Sequence, residues 1–348
     1  MTRYVVRRLA SGVLLLLALT FVTYVVYDLI PYNPTQINGS AKQLGTDRSV
    51  FVQYARFLWR LIRHADLGHT YFIGAPGIGA SVNHVIASDG AVTLSLVLGG
   101  AVALLLLAVP LGLLSALRPH THLDRAILTF SLFGIAFHPF VVGLILKNVF
   151  GTRLDLLPTH DYCPLQAPAP VANPANCNPT NGLGCLQGHC FGHGSPWLWF
   201  SHLILPWLTF ALFFLPFYVR IIRTRLIDLL GEPYVLTARM KGASETRILR
   251  HHLLRAVFST TLAMLALDLG TSITAAIYVE TIFGLPGLGH DALTALGGFD
   301  QFANPLGLQD LPFIVGLVTV IGTAILVLNI LADLATAWLD PRLREGQA

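Results

Sequence analysis

Six stretches of this chain, residues 9–30, 92–117, 126–149, 198–222, 257–279 and 311–339, are each apolar over 22 residues or more. About 20 helical residues span the hydrocarbon core of a bilayer. Only elements that satisfy their own backbone hydrogen bonds persist there, so runs of this length read as membrane helices. A soluble alternative fails on composition. Of the 348 residues 11% are charged and 54% hydrophobic, too little charge to wet the surface of a soluble domain of this size. The expected fold class is an all-α polytopic membrane protein with six transmembrane helices.

Arg3, Arg7 and Arg8 precede the first run, as they would in a secretory signal. The run is long for a signal core, and no small-residue cleavage site follows before Pro31, so it is expected to remain as a span. Lys and Arg then set the orientation. With the N-terminus inside, the cytoplasmic side holds those three arginines, Arg118, Arg125, Arg220, Arg223, Arg225, Arg239, Lys241, Arg247, Arg250, Arg255, Arg342 and Arg344. The outside holds Lys42, Arg48, Arg56, Arg60, Arg63 and Arg153, with Lys147 near the outer end of the third span. Both termini are therefore expected inside, and the net charge of +4 needs no nucleic acid to explain it.

This topology divides the chain into a cytoplasmic N-terminus (1–8), a first span (9–30), an extracytoplasmic segment (31–91) and a core carrying the other five spans (92–348). The core has an outer loop, 151–197, and a basic inner loop, 223–255. Cys163, Cys177, Cys185 and Cys190 all lie in the outer loop, among Pro, Asn and Gly. An even number of cysteines in an oxidising compartment reads as two disulfides with three possible connectivities. A metal site is the competing reading, because His160, His189 and His193 are near, but no Cys-x-x-Cys pair is present. No metal is expected.

In the outer segment, residues 50–62 repeat apolar side chains at helical spacing, which predicts an amphipathic helix. GAPGIGAS at 74–81 is superficially like a phosphate loop, but it lacks the lysine that reaches the phosphates and reads as a turn. Pro110, Pro139, Pro206 and Pro216 fall inside apolar runs, where proline kinks a helix. His138 beside Pro139 reads as a satisfied interhelical histidine. Asn329 and Asp333, at i and i+4 on the sixth run, read as packing or capping groups. Asp268 sits near the middle of the fifth run, where an unpaired carboxylate is costly. It is expected to face a water-filled path, a partner helix or a cationic ligand, with a protonated carboxyl hydrogen-bonded to a neighbouring helix as the structural alternative.

The segment 231–255, GEPYVLTARMKGASETRILRHHLLR, combines high positive charge with helix signals. Pro233 suits a first helical turn and Glu232 complements the dipole there. Gly242 supplies a turn, and Ser244 can cap a second helix with Glu245 in its first turn. Two short helices at an angle are expected. The flanking spans argue against a groove-reading role on DNA, and a passive positive-inside loop is the alternative to a docking element.

This segment resembles the cytoplasmic EAA loop of bacterial ABC-importer permeases. The signature positions read Leu236-Thr237-Ala238, then Gly242, then His252-Leu253-Leu254-Arg255, so that Ala238, Gly242 and Leu254 match. TARxKG and HxLR are similar to the variant in the dipeptide, oligopeptide and nickel permease group. VRRLASGVLLLLALTFVTYVV near the start, VETIFGLPGLG at 279–289 and LDPRLR at 339–344 fit the same group. The resemblance implies a type I ABC-importer permease fold in a bacterial cytoplasmic membrane. It implies a transport subunit rather than an enzyme, with no cofactor of its own and with ATP and Mg on partner ATPases. The partners implied are a second homologous permease, two ABC ATPase subunits or domains, an extracytoplasmic binding protein and a peptide substrate.

By the same resemblance Pro233, Tyr234, Thr237, Ala238, Arg239, Lys241, Gly242, Ala243 and Ser244 form the coupling element, with Arg239 and Lys241 as contacts to acidic ATPase positions. The resemblance also implies an outer gate at Glu280, Pro286 and Gly287, with a binding-protein contact or a cap on the next segment as the alternatives for Glu280, while Asp268 is a path candidate from its own position in the fifth run. Nickel or another small solute is the same-class alternative. A membrane sensor or adhesion protein with a disulfide-braced outer loop is the alternative from another class.

Overall fold

A computed structural model of the chain describes residues 2–29, 49–70, 80–136, 138–159, 162, 196–296 and 310–339. The four loop cysteines, His160, His189, His193, most of GAPGIGAS and LDPRLR after Leu339 lie outside the described residues. The described elements are helical: α1 (Thr2–Leu29), α2 (Val50–His64), α3 (Val82–Leu117), α4 (His122–Ala136), α5 (Pro139–Leu146), α6 (Pro196–Leu230), α7 (Pro233–Met240), α8 (Glu245–Ile248), α9 (Leu254–Phe283), α10 (Leu288–Ala295) and α11 (Leu311–Leu339). Each of the six apolar runs overlaps one or more of these helices over its described residues. By length and composition three helices among the described residues are long and apolar enough to cross a membrane, with a fourth if residues 272–283 and 288–295 count as one broken span.

The third run is not one helix. α4 ends at Ala136 and α5 begins at Pro139, continuing into a π-helical turn, Lys147–Arg153. The cause is local. A residue before proline is pushed out of the α region, and His138 is extended at φ −64°, ψ 145°. The Phe140 amide donates to His138 Nδ1 at 3.3 Å, capping α5, and the imidazole meets the Tyr278 ring edge-on at 4.5 Å.

The chain forms two compact units, residues 1–93 with 286–330 and residues 94–285 with 331–348. In the first, α2 lies along α1. Tyr54 donates to the Leu17 carbonyl at 2.9 Å, and Phe21, Tyr24, Tyr54 and Phe57 form a ladder of ring contacts. Phe57, Val82, Phe313 and Val315 are buried at its centre. α1 and α11 meet at glycines: a Cβ on Gly12 would lie 2.1 Å from Leu326 Cδ1, and one on Gly322 would lie 2.7 Å from Leu16 Cδ1. Small residues let membrane helices approach and gain dispersion energy that hydrophobicity alone does not supply in lipid.

The second unit is built on α6, against which α4, α5 and α9 pack. Gly99 and Gly100 of α3 receive the rings of Trp207 and Phe210, and Trp207 Nε1 donates to the Ser95 carbonyl at 3.0 Å.

Candidate functional site

The basic element at 231–255 takes its shape from its own backbone. Glu232 is the N-cap of α7 in extended conformation and Pro233 occupies the first turn. At the other end the Gly242 amide donates to the Arg239 carbonyl at 2.9 Å and the Ala243 amide to the Ala238 carbonyl at 3.1 Å. These two bonds make a Schellman stop, which requires a left-handed residue. Gly242 supplies it at φ 77°.

Val235 is fully buried, and Ile248 nearly so; these two anchor the element. Most of α7 faces outward: Tyr234 and Leu236 are exposed, and Met240 is 82% exposed at the tip. Across the turn Arg239 donates to both oxygens of Glu245, at 2.7 and 3.1 Å. That bond holds the guanidinium above its usual pKa range. Arg239 thus braces the turn in this conformation, while Lys241 is exposed beside it. Ser244 has the N-cap backbone conformation of α8, but its side chain makes no capping hydrogen bond. Nor is α8 a separate short helix as expected. It runs through a π-helical turn, Leu249–Leu253, into α9, so α7 alone is a free-standing rod.

A buried ion pair stands at the root of this element, and the sequence reading missed it. Asp124, 2% exposed, accepts from Arg223 Nε at 2.8 Å and Arg223 Nη2 at 2.9 Å. Ser115 Oγ and the His120 amide also donate to it. Arg223 first, and then these lesser donors, hold the Asp124 carboxyl well below the usual carboxylate range against the opposing effect of burial. The pair ties the end of α3, the start of α4 and the C-terminal part of α6 together. Charge flanking an apolar run is a signal for it, but one that orientation bias had already absorbed.

Asp268 lies midway along the 30 residues of α9. Tyr218 of α6 donates to its Oδ2 at 2.7 Å. A small cavity opens beside this pair, lined by Ala101 and Leu104 of α3, Phe210, Phe214 and Tyr218 of α6, and Leu265, Asp268 and Ser272 of α9. Glu280 is fully buried in the last turns of the same helix, so in this conformation it is not presented to a soluble partner. Gly284, at φ 64°, stops α9, and the Leu285 amide donates to the Glu280 carbonyl at 2.9 Å. In the other unit Gly287 is the extended N-cap of α10, and the next amide, that of Leu288, donates to Thr93 Oγ1 at 2.9 Å. Pro286 stands just before that cap. No three His, Cys, Asp or Glu side chains group to hold a metal among the described residues.

Apolar helices with an exposed basic element are compatible with a membrane transport component, and comparison with known proteins places the chain in that class. Residues 108–345 match the binding-protein-dependent transport system inner membrane components, and residues 1–97 match the N-terminal region of the same membrane components. The chain belongs to this family, and it is a multi-pass protein of the inner membrane. It is 28% identical to a Brucella suis (biovar 1, strain 1330) protein provisionally named a peptide permease, over 99% of each chain. It is also 28% identical to the Escherichia coli (strain K12) protein named as a probable D,D-dipeptide transport system permease, over 98% of each. With the dipeptide transport system permease of the same organism it shares 26% over 99% of each.

Proposed function

We propose that this chain is one permease subunit of an ATP-driven importer and that its solutes are di- or oligopeptides handed over by an extracytoplasmic binding protein. The observation that carries this reading is α7, an eight-residue helix with an apolar, exposed tip flanked by cationic residues. Such a tip is stable in water only as a compromise, and it suits an apolar groove with an acidic rim. The printed names of the relatives support peptides as the cargo.

In this reading the chain has six spans with both termini in the cytoplasm, and it pairs with a second, similar permease. Two ABC ATPase subunits or domains carry the ATP and Mg, and this chain binds neither. Closure of the ATPases on ATP displaces α7. The rod follows α6 after the turn at Gly231 and Glu232 and leads through the Gly242 turn into α8 and α9. Its displacement therefore shifts the balance between two packed arrangements of those helices.

Affinity purification of the tagged chain from native membranes tests the reading, with Met240→Asp as the comparison. Met240 contributes little to the fold at 82% exposure, so this variant is expected to reach the membrane at normal levels. The wild type is expected to bring an ATPase with it, and the variant to lose it at least about tenfold, as for a charge placed in an apolar socket. Absence of an ATPase from the wild-type preparation removes the importer reading.

A further inference from the structure

We propose that the Asp124–Arg223 pair is the joint through which movement of α7 reaches α3 and α4, which makes Asp124 and Arg223 positioning residues for transport. This rests on the importer reading above and adds the place at which the basic element is tied to the other helices. α7 starts close behind α6. The Gly231 and Glu232 amides of the intervening turn donate back to the Asp228 and Leu229 carbonyls of α6, each at 3.2 Å, and so fix the direction in which the rod leaves. Leu226 and Leu229 are buried in the last turns of α6. Arg223 lies two turns before the end of that helix, about 10 Å along its axis.

At that level the end of α3, the turn after it and α6 meet. Gly112 of α3 takes Ile222 against its backbone: a Cβ there would lie 2.5 Å from Ile222 Cγ2 and 3.3 Å from the Val219 carbonyl oxygen. Further along α3, Ser115 Oγ donates to Asp124 Oδ1, and Arg223 Nε donates to the same oxygen at 2.8 Å. Oδ2 accepts from Arg223 Nη2 at 2.9 Å and from the His120 amide at 3.0 Å. His120 stands at φ 64°, in the left-handed region that residues other than glycine rarely adopt. Thr121 completes the corner, donating from Oγ1 to the Arg118 carbonyl at 2.7 Å and accepting from the Asp124 amide at 3.3 Å.

Stability alone does not account for this arrangement. A buried ion pair gains little beyond the desolvation of its two charges, and apolar side chains of similar volume hold a core as well or better. The bidentate fork supplies direction instead, because two parallel bonds set both distance and angle between guanidinium and carboxylate. Ridge-in-groove contact between apolar helices leaves the crossing angle more loosely set. A residue in a sparsely populated backbone region persists where its surroundings over-determine it, and the donors converging on one carboxylate do that for His120. With the joint closed, α6 cannot slide or rotate without carrying the corner between α3 and α4 along. A push on α7 therefore moves these helices as one body. With apolar contact in its place, α6 follows α7 while the corner stays behind.

The test uses the whole importer in liposomes, with both permeases, the ATPases and the binding protein, and dialanine as solute. Uptake and ATP hydrolysis are read in the same vesicles. The variant carrying both Asp124→Leu and Arg223→Met removes both charges together, so it is expected to keep a thermal midpoint near wild type and to retain its ATPases. Its ATP hydrolysis is expected to stay within about twofold of wild type while uptake falls about tenfold, inside the usual range of coupling between sites. Arg223→Lys keeps the charge and loses the fork, and is expected to raise the ATP hydrolysed per peptide by about threefold.

A ratio of ATP to peptide unchanged in both variants, including a fall of hydrolysis and uptake by one common factor, overturns the joint and leaves the importer reading standing. If the double variant fails to assemble, the ratio in Arg223→Lys decides alone. Failure of the wild type to take up dialanine on ATP overturns the peptide reading and the joint with it.

Discussion

Asp124 and Arg223 show what a membrane-edge charge does once its partner is known. The pair is bidentate, and Asp124 is almost wholly buried. Breaking such a pair from one side strands the other charge, at a cost on the order of 3 kcal/mol, whereas replacing both partners by apolar residues costs much less. Asp124→Leu is therefore expected to lower the thermal midpoint of the purified complex by several degrees, and addition of Arg223→Met to recover most of the loss. The sign of the pH dependence follows from a carboxyl whose folded pKa is depressed. Its stabilisation is fully present above the unfolded value near 4, and falls away as pH drops toward the lower folded value. A midpoint flat between about pH 5 and 8 that declines below about pH 4 in wild type, with a shallower acid decline in the double variant, is the expected outcome. The charges at the run ends were legible in sequence, but their pairing was not, because the partners are 99 residues apart.

At the scale of elements, α7 depends on one backbone angle. Gly242 lies at φ 77°, and a Cβ placed there would meet nothing within 4 Å. Space is therefore not what selects glycine. A β-branched residue in the left-handed region costs about 1–2 kcal/mol, whereas asparagine visits it readily. Gly242→Asn is expected to keep ATPase binding near wild type, and Gly242→Val to weaken it clearly, when both are compared by co-purification with the ATPase. Equal loss from both would mean that side-chain contact, not backbone shape, limits the site. The helix, its proline start and its glycine stop were legible because they are local signals. The fusion of α8 with α9 was not, because Ser244 looks like a cap whether or not its side chain makes the bond. The break at His138 was half-legible: Pro139 marked it, but the expectation was a kink rather than a new helix start.

For the molecule as a whole, orientation is the property on which every assignment above depends. With the native cysteines replaced, Met240→Cys is expected to react with a membrane-impermeant maleimide only when the inner face is open to the reagent. Ile62→Cys, on the exposed side of α2 at 83% exposure, is expected to react in intact spheroplasts. The reverse pattern would invert the topology and move α7 away from any cytoplasmic ATPase.

The sequence by itself determined that the chain is helical and apolar and where the basic element begins and ends, and it set the expectation of which side each segment favours. Hydropathy, positive-charge bias and capping are properties of contiguous residues, so they can be read along the chain. Only tertiary structure decided what meets Asp268, Asp124 and Arg239. In an apolar run a single acid states that a partner is required, but not which one. Tyr218 met that need for Asp268 because two helices of the second unit pack side by side, and for Arg239 the partner was Glu245, across a turn. Helix packing in lipid is selected by shape, through glycines such as Gly99 and Gly100 that admit the rings of α6, and shape complementarity is not written in any one segment.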